Sequence, residues 1–243
     1  MFHTRRCVKP LLACFLTFAL VAQRKGNSFL MRMLACLGIL LLGFAALALA
    51  AQPILVVPFT FDPGHTGIIV SGWQPGAGEP GDANDVAQHG FVLEKNGATN
   101  TDAAAGAVLK GVAGLSADGV AKLDLGYDIK DNTHCGAGAP RFNVSTTGGG
   151  FFFVGGCSNG SRAPAASGWT RVTFDCALGQ WFNVSTGAAG CPASGSTVIG
   201  AAILFDEGSD TPPSSLIVTP GQTVIDNITV NGNVVGKPGD GPK

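Results

Sequence analysis

The sequence predicts an all-β protein, an antiparallel β-sandwich or jelly roll of about 10–12 short strands. Apolar residues alternate with polar ones from Ile54 onward, which is the period of a strand and not of a helix. The chain has 36 glycines, many of them between the alternating runs, where turns need them. The pentapeptide Phe-Asn-Val-Ser-Thr occurs twice, at Phe142–Thr146 and Phe182–Thr186, and each copy lies between two cysteines. Two similar β units, each closed by a disulfide, are therefore expected.

The first fifty residues are typical of a targeting segment. They contain six basic residues, no acidic residue and two apolar runs, of which the second is Leu34–Ala50. This run follows Met31 and Met33 and ends in Ala-Leu-Ala, the small-x-small pattern that signal peptidase cleaves. We therefore predict a leader over residues 1–50, with translation starting at Met31 or Met33 and cleavage near Ala50. A pair of membrane spans is the alternative, although both runs are shorter than the roughly 20 apolar residues that a span needs.

Removing that leader leaves an acidic mature protein of about 190 residues, the size of one β-sandwich domain. The whole chain has 15 Lys+Arg and 16 Asp+Glu; without the six basic residues of the leader, 9 stand against 16, a formal charge of −7. This charge argues against binding to nucleic acid and to anionic membranes. We expect one domain over residues 51–235, no membrane span in the mature protein, and a flexible Gly- and Pro-rich tail over residues 236–243.

Each strand is predicted from a short alternating run. The clearest is Val120–Lys130, in which odd positions from 123 to 129 are apolar and most even positions are charged. Thr101–Ser116 is Ala-rich but contains three glycines, each costing about 1 kcal/mol in a helix, so it is assigned to strand and loop. The other predicted strands are Ile54–Phe61, Thr66–Trp73, Gln88–Lys95, Pro140–Thr146, Gly150–Val154, Trp169–Cys176, Gln180–Thr186, Thr197–Phe205, Ser215–Thr219 and Gln222–Asn231.

Four cysteines remain after the leader is removed: Cys135, Cys157, Cys176 and Cys191. An even number of cysteines in an exported chain indicates disulfides, and four cysteines allow three pairings. The repeat favours the local pairing, Cys135–Cys157 and Cys176–Cys191, because each bridge then encloses one copy of the pentapeptide. A metal site that includes His134 is the alternative, but no Cys-x-x-Cys or His-x-x-x-His pair supports it.

Strand parity predicts a carbohydrate-binding face. In both copies of the pentapeptide and in Trp169–Cys176, alternate residues face the core and the remaining ones face outward. Aromatic rings beside amide and guanidinium donors can stack on sugar rings and hydrogen-bond their hydroxyls. Core filling by the tryptophans is the alternative, because large aromatic side chains are usually buried. The outward set is Trp169, Trp181, Arg141, Arg171, Asn143 and Asn183, while Phe182 and Val184 are predicted to point inward.

Asp226 is an unusual residue for its position. It shares the parity of Val224, Ile228 and Val230, so its carboxylate is predicted on an apolar face, where it needs a cation or hydrogen-bond donors. The segment Thr223–Val230 resembles the closing strand of jelly-roll carbohydrate-binding modules, in which the corresponding Asp helps to hold a structural calcium ion. The resemblance implies a calcium site at Asp226, with Asp62 as a partner ligand. Hydrogen bonding by backbone N–H groups or by an arginine is the alternative, and the scarcity of further oxygen ligands favours it.

Catalytic signals are few. Asp206, Glu207 and Asp210 form an acidic cluster that could supply the carboxylate pair of a glycoside hydrolase. A solvated turn or a calcium loop accounts for the same residues. The segment Ala193–Thr197 lacks the Gly-x-Ser-x-Gly context of a serine nucleophile. No catalytic residue is therefore assigned.

The sequence favours an exported, non-catalytic β-sandwich that binds carbohydrate or another cell-envelope component. The segment His134–Val144 is similar to one in exported bacterial proteins without an assigned activity, which implies the same compartment. A structural or self-associating surface protein is the first alternative, because the chain is Gly-rich and weakly charged. A glycoside hydrolase that uses the acidic cluster at 206–210 is the second.

Overall fold

The computed structural model describes residues 52–82, 85–97, 99, 102–119, 123–207 and 221–239, and within them the chain is all-β. The helical elements of this part are two one-turn 3-10 helices, and no helix in it combines the length and apolar character that crossing a membrane requires. The strands are β1 Leu55–Phe61, β2 Ile69–Gln74, β3 Gly90–Lys95, β4 Ala104–Lys110, β5 Leu125–Lys130, β6 Arg141–Thr146, β7 Phe151–Gly155, β8 Ser161–Pro164, β9 Trp169–Phe174, β10 Trp181–Asn183, β11 Ala188–Ala189, β12 Val198–Phe205, β13 Gln222–Val230 and β14 Asn233–Val235.

Every predicted strand that falls within the described residues is present, with ends that differ by a few residues. Three strands were not predicted: β8, β11 and β14 are short and lack apolar alternation. The four residues of β8 are all exposed and end in Pro164, which suits an edge strand. The leader, Asp210 and the predicted strand Ser215–Thr219 lie outside the described residues. In the predicted tail, Gly236 is buried.

The strands form two antiparallel seven-stranded sheets. Sheet A has the order β1-β4-β12-β6-β7-β10-β11, and sheet B has the order β2-β3-β13-β5-β9-β8, with β14 paired to β13. Residues from both sheets contribute to one apolar core cluster. The all-β, antiparallel prediction is therefore confirmed, because each sheet buries an apolar face against the other.

Aromatic residues form the centre of the core between the sheets. The rings of Tyr127 and Phe142 have centroids 5.7 Å apart, and Phe174 lies 5.7 Å from the first and 5.9 Å from the second. The buried Tyr127 hydroxyl donates a hydrogen bond of 2.9 Å to the backbone oxygen of Pro140. This bond satisfies the one polar atom of the cluster and connects β5 of sheet B to the start of β6 in sheet A.

The predicted facing of the second pentapeptide is wrong. Trp181 is 1% exposed and lies in the core, whereas Phe182 and Val184 are 43% and 40% exposed. The reason is the register: Trp181 pairs with the buried Val154 of β7, and β10 ends at Asn183. The side chain of Asn183 accepts hydrogen bonds from the backbone of the next turn, at residues 185 and 186. The two identical pentapeptides therefore present opposite faces to the core.

The two outer faces of the sandwich differ. On sheet B the β2–β3 connection passes over the outer face, where Glu79 hydrogen-bonds to Asp226 of β13 and to Ala166 beside β9. Trp169 lies beneath this cover, 5% exposed, and packs with Val92 and Val224 against Ala77 and Ala165. The outer face of sheet A instead carries exposed apolar residues such as Val108. Within the described residues, the outer face of sheet A is therefore the more open of the two.

Both predicted disulfides are present. Cys135 pairs with Cys157 and Cys176 pairs with Cys191, with Cα–Cα distances of 5.0 and 4.6 Å. Each bridge encloses one copy of the pentapeptide, as the repeat indicated. The bridges therefore hold the loops beside β6 and β10, two of the strands that form the site described next.

Candidate functional site

An open cleft of about 890 Å³ lies at the end of sheet A formed by β6, β7 and β10. Its charged side chains come from the start of β6 and the end of β12, and its aromatic side chains come from β7 and β10. The principal side chains that line it are Arg141, Phe153, Asn159, Phe182, Asp206 and Glu207. The cleft thus combines aromatic surface with polar groups, which is the usual composition of a small-ligand site.

Arg141 is the central side chain of one wall, and all its contacts are with the protein. Its Nη1 and Nη2 atoms donate to the two carboxylate oxygens of Asp206 at 2.7 and 2.6 Å. Nη1 also donates to the backbone oxygen of Gly138, and Nε donates to the side-chain oxygen of Asn143, each at 3.0 Å. The guanidinium carbon lies 4.4 Å from the ring centroid of Phe153. This bidentate, stacked and 9% exposed arginine is a rigid part of the cleft wall.

Glu207 is seated on a glycine-rich loop that precedes β6. Its Oε2 atom accepts a hydrogen bond from the backbone nitrogen of Ala139 at 3.2 Å and lies 3.2 Å from Nε2 of His134. A Cβ atom at Gly136 or Gly138 would lie 2.1 or 1.9 Å from an oxygen of this carboxylate. Glycine is therefore required at both positions for the carboxylate to lie against the backbone. The side chain of Glu207 remains 39% exposed towards solvent.

A row of outward-facing residues, apolar except for Asn143 at its centre, crosses the outer face of sheet A and ends in this cleft. The strand register places one outward-facing residue of each strand directly opposite the next, from β1 to β11. Cross-strand neighbours of this kind are about 4.5–5.5 Å apart, so the row is nearly continuous. Two of its members, Val108 and Phe182, are 42% and 43% exposed. The row consists of Val57, Val108, Ala202, Asn143, Phe153, Phe182 and Ala189.

The predicted carbohydrate-binding face is not assembled as one surface. Trp169 and Arg171 belong to β9 of sheet B, on the covered side of the sandwich, and Trp181 is in the core. The prediction assumed that three strands with similar sequences were neighbours in one sheet. Of the predicted set, only Arg141 lines the cleft, together with Asp206 and Glu207, and Asn143 accepts a hydrogen bond from Arg141 beside it.

Asp226 lies on the covered outer face of sheet B. A register shift between Asp226 and Thr229, with Asn227 at φ 44°, turns the strand so that Ile228 faces the core and Asp226 does not. The predicted parity therefore holds for Val224, which packs on this outer face, and is wrong for Ile228 and Val230, because a β-bulge changes the facing of every residue after it. The carboxylate of Asp226 accepts backbone hydrogen bonds from Glu79 at 2.8 Å and from Asn227 at 2.6 Å.

Asp226 belongs to a cluster of three carboxylates, together with Glu79 and Asp128. The side chain of Asn227 donates to Glu79 at 2.5 Å and to Asp128 at 3.0 Å, and Arg171 lies 3.2 Å from Asp128. Asp128 pairs across the ladder with Asp226 and is only 6% exposed. Burial, together with the charges of Glu79 and Asp128, raises the pKa of Asp226 to about 6. Burial also raises the pKa of Glu79.

The two residues predicted as calcium ligands, Asp62 and Asp226, have separate hydrogen-bond partners. The carboxylate of Asp62 lies in the β1–β2 turn, where it accepts hydrogen bonds from the Thr66 hydroxyl at 2.9 Å and the Gly67 nitrogen at 2.8 Å. Asp226 is satisfied by the backbone donors of two other residues. Among the described residues, no three His, Cys, Asp or Glu side chains are grouped so as to hold a metal ion.

Sequence reasoning missed three residues that matter here. Phe182 is predicted to point inward. It is adjacent to Trp181, so the sequence does not show which of these two aromatic side chains faces the core. Phe153 alternates with Phe152 in a run of three phenylalanines, so parity alone does not select the outward ring. Glu79 lies in a Gly- and Pro-rich loop without alternating apolar and polar residues. No pattern in the sequence therefore predicts its contact with β13.

Comparisons with known proteins provide no further assignment. No protein-family model, curated protein or solved structure matches this chain.

Proposed function

We propose that this protein is an exported, non-catalytic β-sandwich that binds neutral carbohydrate chains of the cell envelope in the cleft of sheet A. The observation that carries the proposal is the mostly apolar cross-strand row that ends among the polar groups of the cleft. Aromatic and aliphatic side chains along a flat strip suit the apolar faces of sugar rings. The closing strand Thr223–Val230 resembles jelly-roll carbohydrate-binding modules, and two disulfides are typical of an extracytoplasmic chain.

The polar groups of the cleft favour a ligand that donates hydrogen bonds. Four of the five N–H groups of Arg141 donate to protein oxygens. Oε1 of Glu207 and Oδ1 of Asn159 accept no hydrogen bond from the described residues, so both can accept one from a ligand. Arg141 and Asp206 compensate each other, which leaves the charge of Glu207 in the cleft. Sugar hydroxyls fit this arrangement, whereas carboxylated or phosphorylated glycans would be repelled.

The same contacts argue for a non-catalytic role. Glycoside hydrolysis requires one carboxyl group to protonate the leaving oxygen while a second acts as base or nucleophile. Both oxygens of Asp206 accept hydrogen bonds from Arg141, and Oε2 of Glu207 accepts one from Ala139. Asp206 is therefore held by Arg141, and Glu207 is the one carboxylate among the described cleft residues with an oxygen open to a ligand, so the pair that hydrolysis needs is incomplete.

Titration calorimetry with neutral and acidic oligosaccharides of matched length tests the proposal. Neutral chains should bind, acidic chains should not, and Phe182→Ala should weaken binding by about tenfold or more because it removes the exposed ring. Val70→Ala is the matched control, since Val70 is 37% exposed but lies on β2 of sheet B. Failure of every neutral glycan on an array to bind, or an equal loss in both variants, would refute the proposal.

Self-association is the second candidate function, and the open apolar face of sheet A favours it. Phe61 and Val108 are 51% and 42% exposed on this face, and exposed apolar patches commonly mark protein interfaces. Light scattering over a concentration series should then show dimers or larger species, and Val108→Asp should abolish them. A monomer at every concentration would exclude this function and leave the carbohydrate proposal intact.

A further inference from the structure

Arg162 makes an unusual contact at the edge of sheet B. Its Nη2 atom lies 2.7 Å from Sγ of Cys135 and 3.6 Å from Sγ of Cys157, so the guanidinium faces both sulfurs of one disulfide. The residue belongs to the exposed edge strand β8 and pairs across the ladder with Val172. A cation is thus placed directly beside a disulfide bond.

The guanidinium of Arg162 has no carboxylate partner within the described part of the chain. The other two arginines described there are paired: Arg141 with Asp206 and Arg171 with Asp128. Among the described residues, the side chain of Arg162 donates hydrogen bonds to the two sulfurs and to no other group. Its positive charge is therefore available to an anion that approaches the disulfide or forms within it.

The second disulfide provides an internal comparison. In each bridge one cysteine is buried and the other half-buried: Cys157 is 0% and Cys176 is 5% exposed, whereas Cys135 and Cys191 are of intermediate exposure. No arginine or lysine of the described residues hydrogen-bonds to Cys176 or Cys191. The bridges thus match in exposure and differ in the neighbouring cation.

We propose that Cys135–Cys157 is a thiol–disulfide exchange site that reacts preferentially with small anionic thiols. A thiolate attacks Sγ of Cys135, the partly exposed cysteine of the pair, the Cys135–Cys157 bond breaks, and Cys157 leaves as a thiolate beside the guanidinium. The product is a mixed disulfide between Cys135 and the small thiol. A second thiolate then attacks that mixed disulfide, which releases the oxidised small-molecule disulfide and leaves Cys135 and Cys157 reduced.

Arg162 assists this exchange in two ways. Its charge attracts the anionic attacking thiol, and this effect is screened by salt. It also stabilises the negative charge that develops on the leaving sulfur, which speeds exchange with any thiol. The first effect distinguishes anionic from cationic thiols, and the second distinguishes this bridge from Cys176–Cys191.

Rates of reduction of the two bridges in the folded protein test the proposal. The protein is treated with glutathione, which is anionic, or with cysteamine, which carries an ammonium group. Free thiols are alkylated at intervals and the cysteine peptides are quantified by mass spectrometry. With glutathione, Cys135–Cys157 should open roughly tenfold faster than Cys176–Cys191. The preference for glutathione should shrink as salt is added.

Two variants separate the charge of Arg162 from its packing. Arg162→Gln should slow glutathione attack on Cys135–Cys157 by roughly tenfold and leave Cys176–Cys191 unchanged. Arg162→Lys should retain most of the rate because it keeps the positive charge. In 6 M urea the two bridges should react at similar rates, since Arg162 no longer faces the sulfurs. Equal rates for the two bridges in the folded wild-type protein, or an unchanged rate in Arg162→Gln, would overturn the proposal.

Discussion

Asp206 accepts two hydrogen bonds from Arg141, at 2.7 and 2.6 Å, and this ion pair joins the end of β12 to the start of β6. Arg141 is only 9% exposed, so the pair is partly removed from water. A charge left without its partner in such a place is costly. The pair therefore stabilises the wall of the cleft, whichever ligand the cleft accepts.

Replacing Arg141 by lysine should destabilise the protein. Lysine keeps the charge but loses the bidentate geometry and the stacking on Phe153, so the free energy of unfolding should fall by about 1–3 kcal/mol in urea denaturation. Arg162→Lys is the control, because Arg162 is exposed and has no carboxylate partner in the described residues, and it should change stability by less than about 0.5 kcal/mol. Equal effects would mean that the Arg141–Asp206 pair contributes nothing.

Neighbouring aromatic residues of β10 should respond very differently to truncation. Trp181 is buried, so Trp181→Ala should cost about 3–5 kcal/mol of unfolding free energy. Phe182 is 43% exposed, and Phe182→Ala should cost less than about 1 kcal/mol. Chemical denaturation of both variants measures the difference. A larger loss of unfolding free energy for Phe182→Ala than for Trp181→Ala would show that Phe182 faces the core, as the sequence predicted.

Stability should decrease as pH rises from about 4 to 6. Burial raises the pKa of Asp226 to about 6, above its ordinary 3.8, so the folded state binds this proton more tightly than the unfolded chain does. A shift of about two units corresponds to at most roughly 3 kcal/mol, lost as pH rises through the folded pKa. Urea denaturation across this range should show the loss, and Asp226→Asn should reduce it, leaving the part due to Glu79.

Asp62 provides a control of the opposite sign. Backbone N–H groups of Thr66 and Gly67 lower the pKa of its carboxyl group, so its contribution to stability is present above the unfolded pKa and is lost on acidification. Asp62→Asn should therefore leave the decrease between pH 4 and 6 unchanged. If Asp226→Asn also leaves it unchanged, Asp226 is not the titrating group.

Gly138 and Glu207 should be coupled energetically. A methyl group at Gly138 would lie 1.9 Å from Oε1 of Glu207, so Gly138→Ala must displace that carboxylate. We expect a loss of about 1–3 kcal/mol for Gly138→Ala alone and much less in the Glu207→Ala background. An interaction energy near zero in a double-mutant cycle would contradict the close approach of the Glu207 carboxylate to Gly138.

Local patterns in the sequence were sufficient for the all-β class, for the longer strands and for the disulfides, but not for the short strands β8, β11 and β14. Alternation along a run such as Val120–Lys130 is a property of one strand, although the strand itself begins only at Leu125. The pairing of Cys135 with Cys157 was predictable because one copy of the repeated pentapeptide lies between each pair of cysteines. Each bridge is local in sequence, with separations of 22 and 15 residues. These features need no knowledge of which strands are neighbours.

Tertiary structure alone decided where the site lies. Trp169 and Trp181 each begin a strand, but β9 belongs to sheet B and β10 to sheet A. Strand order depends on contacts between residues far apart in the chain, which local alternation does not report. The bulge after Asp226 reversed a parity that a regular strand would have kept, and the loop carrying Glu79 buried that carboxylate. Alternation predicts two faces for every strand, but only the partner layers determine which face is covered and which one meets solvent.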